Sequence, residues 1–377
     1  MRNLSLLFLL ALLSACSVKD ESPSAFIAAD TTSIKYAKGF IIRNLGRIKE
    51  VVVTKPYQGA ETGYTYWLVP KNEEVPKHGV DIKIIRTPIQ SIVCTSTTHI
   101  PLLDYLNETN RLIAFPTLDY ISSEKMRARI DSGNVIDLGV DKGLNIELLA
   151  TLKPELVMAY TMTGDYGQFK KIEELNMPVV LNSEYLEEHP LGRAEWIKFM
   201  ALFFNKEKEA DSIFSVIEKN YLSTKALVES KNAPSATVMS GIVYGDAWFM
   251  PAGQNYAAKL LRDAGLHYLW SNDSSTGFLQ LSFEAVYEKA NGADYWIGVG
   301  SYKSLEEIKK ADHRYSNFKA FTNKHVYTND ARIGARGGSE FLELGYLRPD
   351  LILHDLVNIS HPSLLNDSSL FFHKRLH

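Results

Sequence analysis

The sequence predicts an α/β protein of two doubly wound α/β lobes joined by one long backbone helix, with a β-hairpin extension at its N-terminal side. Three observations predict it. Short β-branched runs alternate with helix-period segments in two separate stretches, 82–189 and 234–355, the pattern of lobes with mainly parallel sheets. Between them, 190–233 carries apolar residues at helical spacing (Trp196, Phe199, Met200, Phe203, Ile213, Phe214, Ile217, Leu222). Ahead of both, 34–81 holds the β-rich pieces 51–54 and 64–69, separated by Pro56 and a turn at Gln58-Gly59-Ala60.

The chain opens with Met1-Arg2-Asn3, an apolar run over 4–13 and then Leu13-Ser14-Ala15-Cys16. A basic start, a short apolar run and small residues make 1–15 a signal peptide, because about 20 apolar residues are needed to span a bilayer. The last four residues resemble the lipobox of bacterial lipoproteins, which implies lipidation at Cys16 and makes 16–33, polar and Pro-containing, a linker between lipid and fold. Cys94 is then the one remaining thiol, unable to form an internal disulfide or a multi-cysteine metal site, and is expected buried and inert. No later stretch is long and apolar enough to span a membrane, so the body is expected to fold in water at the membrane surface. A net charge of -3 and the lack of basic clusters interleaved with aromatics give no footprint for nucleic acid.

Along the first lobe the candidate strands are 82–85, 92–95, 112–115, 135–138, 156–160 and 179–181. The long helix fits 190–233 with a break near Asn205 and a stop at Lys231-Asn232-Ala233-Pro234. The second lobe restarts with a strand at 236–243, helices near 255–264 and 283–290, and a strand at 295–299. A single rigid connection between two lobes implies only a small closure. The tail 356–377 is expected to pack on the body through Leu364, Leu365, Leu370, Phe371 and Phe372, against the extension.

An internal echo carries the most information. Asn145-Ile146-Glu147 precedes an apolar helix and the strand 156–160, and Ser282-Phe283-Glu284 precedes another helix and the strand 295–299. Asn and Ser are favoured N-caps and an acid in the first turn suits the helix dipole, so each glutamate alone has a structural explanation. As a pair, with the long helix between, the segments NIELLATLKPELVMAY and LSFEAVYEKANGADYWIGV resemble the cobalamin-, haem- and ferric-siderophore-binding proteins of ABC importers over 85–355. The resemblance implies a class III periplasmic binding protein-like fold, in which Glu147 and Glu284 dock on arginines of a permease dimer with its ATPase. It implies a lipid-anchored periplasmic monomer that delivers a metal-chelate small molecule, a ferric siderophore, haem or cobalamin, with no cofactor of its own.

Ligands of doubly wound sheets lie beyond the carboxyl ends of the strands. That rule selects Thr97, His99, Tyr120, Tyr166, Tyr244, Trp248, Tyr302, Arg332 and Arg336, a mixture of rings and cations suited to a large, partly apolar, anionic ligand. Core packing explains any one of the rings as well, and a capping or packing role suits His99 better than ligation. Scattered histidines give no site for a bare metal ion, and the acid pairs Glu73-Glu74, Glu173-Glu174, Glu187-Glu188 and Glu306-Glu307 read as solvated faces. There is no G-x-S-x-G, H-E-x-x-H, P-loop or G-x-G-x-x-G, so the chain reads as a binding protein and not an enzyme. Two alternatives stay open: a hydrolase on an α/β scaffold, and a surface-exposed capture lipoprotein without an ABC partner, to which Lys19-Asp20-Glu21 after the lipid site would suit an export signal.

Overall fold

The computed structural model describes residues 30, 31, 33–231 and 235–377. The signal peptide, Cys16, nearly all of the linker and the helix stop at 232–234 lie outside the described residues.

β1 (Asp30–Thr31), β2 (Phe40–Leu45), β3 (Ile48–Val53), β4 (Tyr64–Pro70) and β5 (Ile82–Thr87) form one sheet in that order. β1 to β4 pair antiparallel and β5 lies parallel to β4, so the extension is a five-stranded sheet rather than a hairpin. Its side chains alternate with the pleat: Phe40, Ile42, Val51, Val53, Tyr66 and Leu68 face the main core, while Ile48, Trp67 and Val69 pack on the other face. The run 82–85, expected to open the first lobe, belongs to this extension. Its residues alternate as in a half-covered sheet, with Ile85 in the main core and Ile84 on the Trp67 face, whereas a lobe strand such as 92–94 is buried throughout.

Two glutamates of the hinge region hold the extension in place. The fully buried Glu195 carboxylate accepts the backbone N–H groups of Lys35, Tyr36 and Ala37 at 3.0, 2.7 and 3.0 Å and pairs with Lys198 at 3.0 Å. Glu187 accepts those of Lys38 and Gly39 at 2.9 and 2.8 Å and the Trp196 indole N–H at 3.0 Å. Glu187 is therefore buried and bonded, not part of a solvated face, and only Glu188 of that pair is exposed. Phe40 meets Trp196 and Phe199 edge-on at 4.8 and 5.4 Å above these bonds.

β6 (Ile92–Cys94), β7 (Leu112–Phe115), β8 (Ile136–Asp137), β9 (Leu156–Ala159) and β10 (Val179–Leu181) build the first lobe as an all-parallel sheet, ordered β10-β9-β6-β7-β8. The order reverses between β6 and β9, which is the topological switch point. Cys94 is fully buried there, and burial pushes its thiol pKa up.

The second lobe contains β11 (Thr237–Ser240), β12 (Ile242–Tyr244), β13 (Ala247–Pro251), β14 (His267–Tyr268), β15 (Phe278–Leu281), β16 (Tyr295–Ile297), β17 (Val326–Thr328) and β18 (Lys374–Arg375). Its main sheet runs β14-β11-β16-β17-β18, parallel except for β18 at the edge, and β12-β13-β15 form a separate antiparallel sheet. The single strand expected at 236–243 is thus two. Gly241 takes φ +81, and a Cβ there would stand 1.9 Å from the Phe249 carbonyl oxygen, so only glycine lets the chain leave one sheet for the other. The tail completes the second lobe's sheet instead of covering the extension. Asp355 holds it by accepting the N–H groups of Phe371, Phe372 and His373 at 2.7, 2.7 and 2.9 Å.

The long connection is two helices, Pro190–Leu202 and Glu207–Glu229, because Asn205 adopts the left-handed conformation (φ 57) and the first helix folds back along the second. The strut between the lobes is the 23-residue Glu207–Glu229, about 35 Å long at 1.5 Å per residue. On the second lobe's side it packs along the helix Pro349–Ser360.

Replacing Glu195 by alanine strands three backbone N–H groups and leaves the buried Lys198 with Asp211 alone as its ion-pair partner among the described residues. The variant is expected to lose about 3 kcal/mol of stability in urea unfolding and to become cleavable near residues 33–39 under limited proteolysis. An unchanged midpoint and digestion pattern would refute the clamp.

Candidate functional site

The loops that leave the carboxyl ends of the two parallel sheets form the candidate site. In the first lobe β6 runs into a short turn at Thr97–His99, capped by the Ser96 hydroxyl on the Thr98 N–H. The Thr98 hydroxyl donates to Glu184, which follows β10. Glu184 is 4% exposed, and burial pushes its carboxyl up to about 7. Around it, Asn182 Nδ2, Ser183 Oγ and Glu184 Oε2 are buried without a hydrogen-bond partner among the described residues, as are both ring nitrogens of His99. Burial alone drives His99 down to about 3, so its imidazole is neutral. The floor of the first lobe is thus polar and under-bonded.

The second lobe presents the opposite chemistry. Past β11, β16 and β17 the chain supplies Gly241, Gly298, Gly300 and Asn329, and the space these small residues leave is a largely apolar pocket of about 320 Å³. Tyr244, Phe249, Phe278 and Phe341 ring it. Tyr244 and Phe278 are 79% and 69% exposed, unusual for rings with so much apolar surface.

The lobes touch where the loop after β7 meets the segment after β17. A Cβ on Gly338 would stand 2.2 Å from the Tyr120 carbonyl oxygen, so the two backbones approach as only glycine allows. Beside this contact Glu343 accepts the N–H groups of Ser122 and Ser123 across the lobes at 2.6 and 2.9 Å. Burial lifts its carboxyl to about 7 as well. A groove of about 1080 Å³ opens next to it, with Asp104, Lys125, Arg127 and Arg332 in its walls.

The structure brings together part of the predicted set. Thr97 is half-buried at the start of its turn, Tyr120 is exposed on the interlobe loop, and Tyr244 rims the apolar pocket. Arg332 lines the groove, bonded to Glu340 at 2.7 Å with its guanidinium 4.5 Å over Phe371, and Arg336 is exposed in the loop between Ile333 and Ser339. Tyr302 is half-buried against the second lobe's core. Three residues lie elsewhere. Tyr166 packs on Tyr64 and Phe169, its hydroxyl donating to Glu173 and accepting from Lys83, so it joins the extension to the first lobe. Trp248 is fully buried against Trp296, Phe283 and Phe318 with its indole N–H on the Ser240 carbonyl, because along β13 it alternates with the half-buried Ala247 and Phe249 and so faces inward. His99 is enclosed in the core. Phe278, Phe341, Glu184 and Glu343 carry no motif in the sequence; the only hint is that Glu184 follows a strand end. Among the described residues no three His, Cys, Asp or Glu side chains gather as a metal-ligand set.

Glu147 and Glu284 occupy matching places. Each stands in the first turn of a helix, Ile146–Leu152 or Phe283–Ala290, capped by Asn145 or Ser282. Each helix leads into the strand that pairs with the first strand of its sheet, β9 on β6 and β16 on β11. A helix that precedes a parallel strand runs opposite to it, which sets both helix N-termini at the carboxyl-end side of the sheets. Both glutamates are exposed, and Glu284 bonds Arg314 at 3.0 Å.

Residues 92–333 match the family model described as periplasmic binding protein. An uncharacterised lipoprotein of Methanocaldococcus jannaschii is 28% identical over 365 residues, 91% of this chain and 85% of its own. Among solved structures, a possible iron-binding (periplasmic solute-binding) protein of Staphylococcus epidermidis superposes with a TM-score of 0.57 at 16% identity, covering 73% of this chain and 100% of the other. A periplasmic haem-binding protein of Vibrio cholerae gives 0.54 at 16% identity, covering 70% and 99%.

The raised pKa of Glu184 has a consequence for stability. Its folded-state value near 7 lies above its ordinary 4.5, so the stability linked to it is fully present below 4.5 and is lost as the pH rises through about 7. Glu184→Gln stays neutral, and its thermal midpoint minus that of the wild type is expected to rise between about pH 5 and about pH 8. His99 and His189, whose depressed values act in the opposite direction, cancel in this difference. A difference independent of pH would refute the assignment.

Proposed function

The chain belongs to the periplasmic binding protein family, and from that premise we propose that it is the lipid-anchored substrate-binding component of an ABC importer, handing an iron chelate (ferric siderophore or haem) or a cobalamin to a permease dimer driven by its ATPase. Family membership makes it a binding protein, and the hydrolase alternative drops away.

The observation that carries the delivery step is the matched pair Glu147 and Glu284. Two exposed carboxylates, one per lobe, on equivalent helix N-termini, suit charge-assisted pairing with one arginine from each half of a symmetric permease. Glu284 would exchange its bond to Arg314 for the permease arginine, while Glu147 has no such bond among the described residues. The two lobes' chemistry supports the ligand class. Rings around an apolar pocket on one side suit a flat or bulky apolar body, and the cations Arg332, Arg336 and Lys125 near the groove suit carboxylates or an anionic chelate. The iron- and haem-binding roles named for the two similar structures agree with that class. For the anchor, the Leu13-Ser14-Ala15-Cys16 sequence and the lipoprotein relatives speak together, and among the described residues no helix is long and apolar enough to cross a membrane.

Reversing both charges (Glu147→Lys with Glu284→Lys) is expected to reduce uptake of the chelate by cells roughly a hundredfold while leaving its affinity for the purified protein unchanged. Undiminished uptake would favour the capture lipoprotein without an ABC partner. The double variant Tyr244→Ala/Phe278→Ala is expected to weaken chelate binding roughly tenfold in calorimetry without shifting the unfolding midpoint, and an unchanged affinity would remove the apolar pocket from the site.

A further inference from the structure

A second pocket, of about 340 Å³, lies away from the strand ends, between the first residues of the extension, the loop before the helix Pro190–Leu202 and the helix Tyr256–Asp263. Five cations line it: Lys35, Lys38, Lys55, Lys259 and Arg262. They come from three separate elements of the fold, so sequence clustering does not explain their convergence. The two acids in the lining do not neutralise them. Glu187 is buried and turned into the N–H groups of Lys38, Gly39 and Trp196, and Glu188 is solvent-exposed. Of the five, Lys35 alone has an ion-pair partner within 4 Å among the described residues, Glu218 at 3.1 Å.

Lys259 is the informative member. It is half-buried and makes no salt bridge among the described residues, and Asp263, one turn away, is held by Tyr221 at 2.7 Å and Lys225 at 3.1 Å. Its counter-charge, Asp263, is shared with Lys225, so burial still holds the Lys259 ammonium's pKa down and an added anion stabilises it. His189 adds a neutral donor. Its Nδ1 accepts the Leu191 N–H at 3.1 Å, which places the ring proton on Nε2. Beyond Lys259 and Arg262 a neighbouring hollow holds Lys225, His267 and His361 together with the acids Glu229 and Asp263.

We propose that this pocket is an oxyanion site for a phosphate group, supplied either by free phosphate or by the headgroup of an anionic phospholipid. Converging ammonium groups, a guanidinium and an imidazole N–H match a tetrahedral dianion or a phosphodiester. Its cationic lining, with Tyr36 as the one aromatic ring besides His189, separates it from the ring-lined apolar pocket of the second lobe.

Calorimetric titration of the full chain in detergent with inorganic phosphate, with dihexanoyl phosphatidylglycerol and with dihexanoyl phosphatidylcholine tests it. Saturable binding of phosphate or of the glycerol lipid, with none of the zwitterionic choline lipid, is expected. Lys259→Gln/Arg262→Gln should weaken it roughly tenfold with the unfolding midpoint kept, and so should Lys38→Gln/Lys55→Gln on the opposite wall. Binding of phosphate alone assigns free phosphate, and binding of the glycerol lipid alone assigns the headgroup. No saturable binding of either, or an affinity that both double variants leave unchanged, overturns the proposal.

Discussion

The lead-in to the extension, the contact between the lobes and the tail are each held by a buried carboxylate that accepts consecutive backbone N–H groups. Glu195 and Glu187 bind the chain that leads into the extension, Glu343 bridges the two lobes, and Asp355 fixes the tail. Apolar contact is non-directional and would let these pieces slide. A buried carboxylate tolerates no such slippage, because moving it from its donors leaves a charge without solvation in the core. The extension, lobes and tail are therefore registered by ionic hydrogen bonds laid over one continuous apolar cluster. The interlobe bond at Glu343 matters most for function, since it ties the loop after β7 in one lobe to the segment after β17 in the other.

That arrangement was only partly legible in the sequence. Strands buried on both faces, such as Val179–Leu181, and helices with strong caps, such as Phe283–Ala290 behind Ser282, signal themselves locally. The glutamate echo was legible for the same reason, since cap, acid, helix and strand recur within a short span. What local pattern does not encode is which sheet a strand joins. The run 82–85 has the same composition as a lobe strand, and only its pairing with β4 shows otherwise. Trp248 is a second case: the pairing of β13 with β12 and β15 sets its ring in the core rather than in the site.

Side-chain partners were the least legible level. Tyr166 follows a strand end as a ligand residue would, yet Lys83, far away in sequence, takes its hydroxyl. Glu187 looks like half of a solvated acid pair until the amides of residues 38 and 39 appear beside it. In each case the deciding partner comes from the extension, the part of the chain outside the family match at 92–333. The extension thus acts on the binding body by occupying groups that would otherwise face solvent.

A strut of one helix, an interlobe bond and close backbone contact at Gly338 together describe a body suited to presenting a ligand between lobes with little rearrangement. The account stands or falls on whether that body holds one metal chelate. Native mass spectrometry of the folded chain mixed with a ferric hydroxamate siderophore, haem and cobalamin measures this directly. The account predicts a one-to-one complex with one of the three, lost when Tyr244 and Phe278 are both replaced by alanine. A chain that stays unliganded in the presence of all three would contradict it.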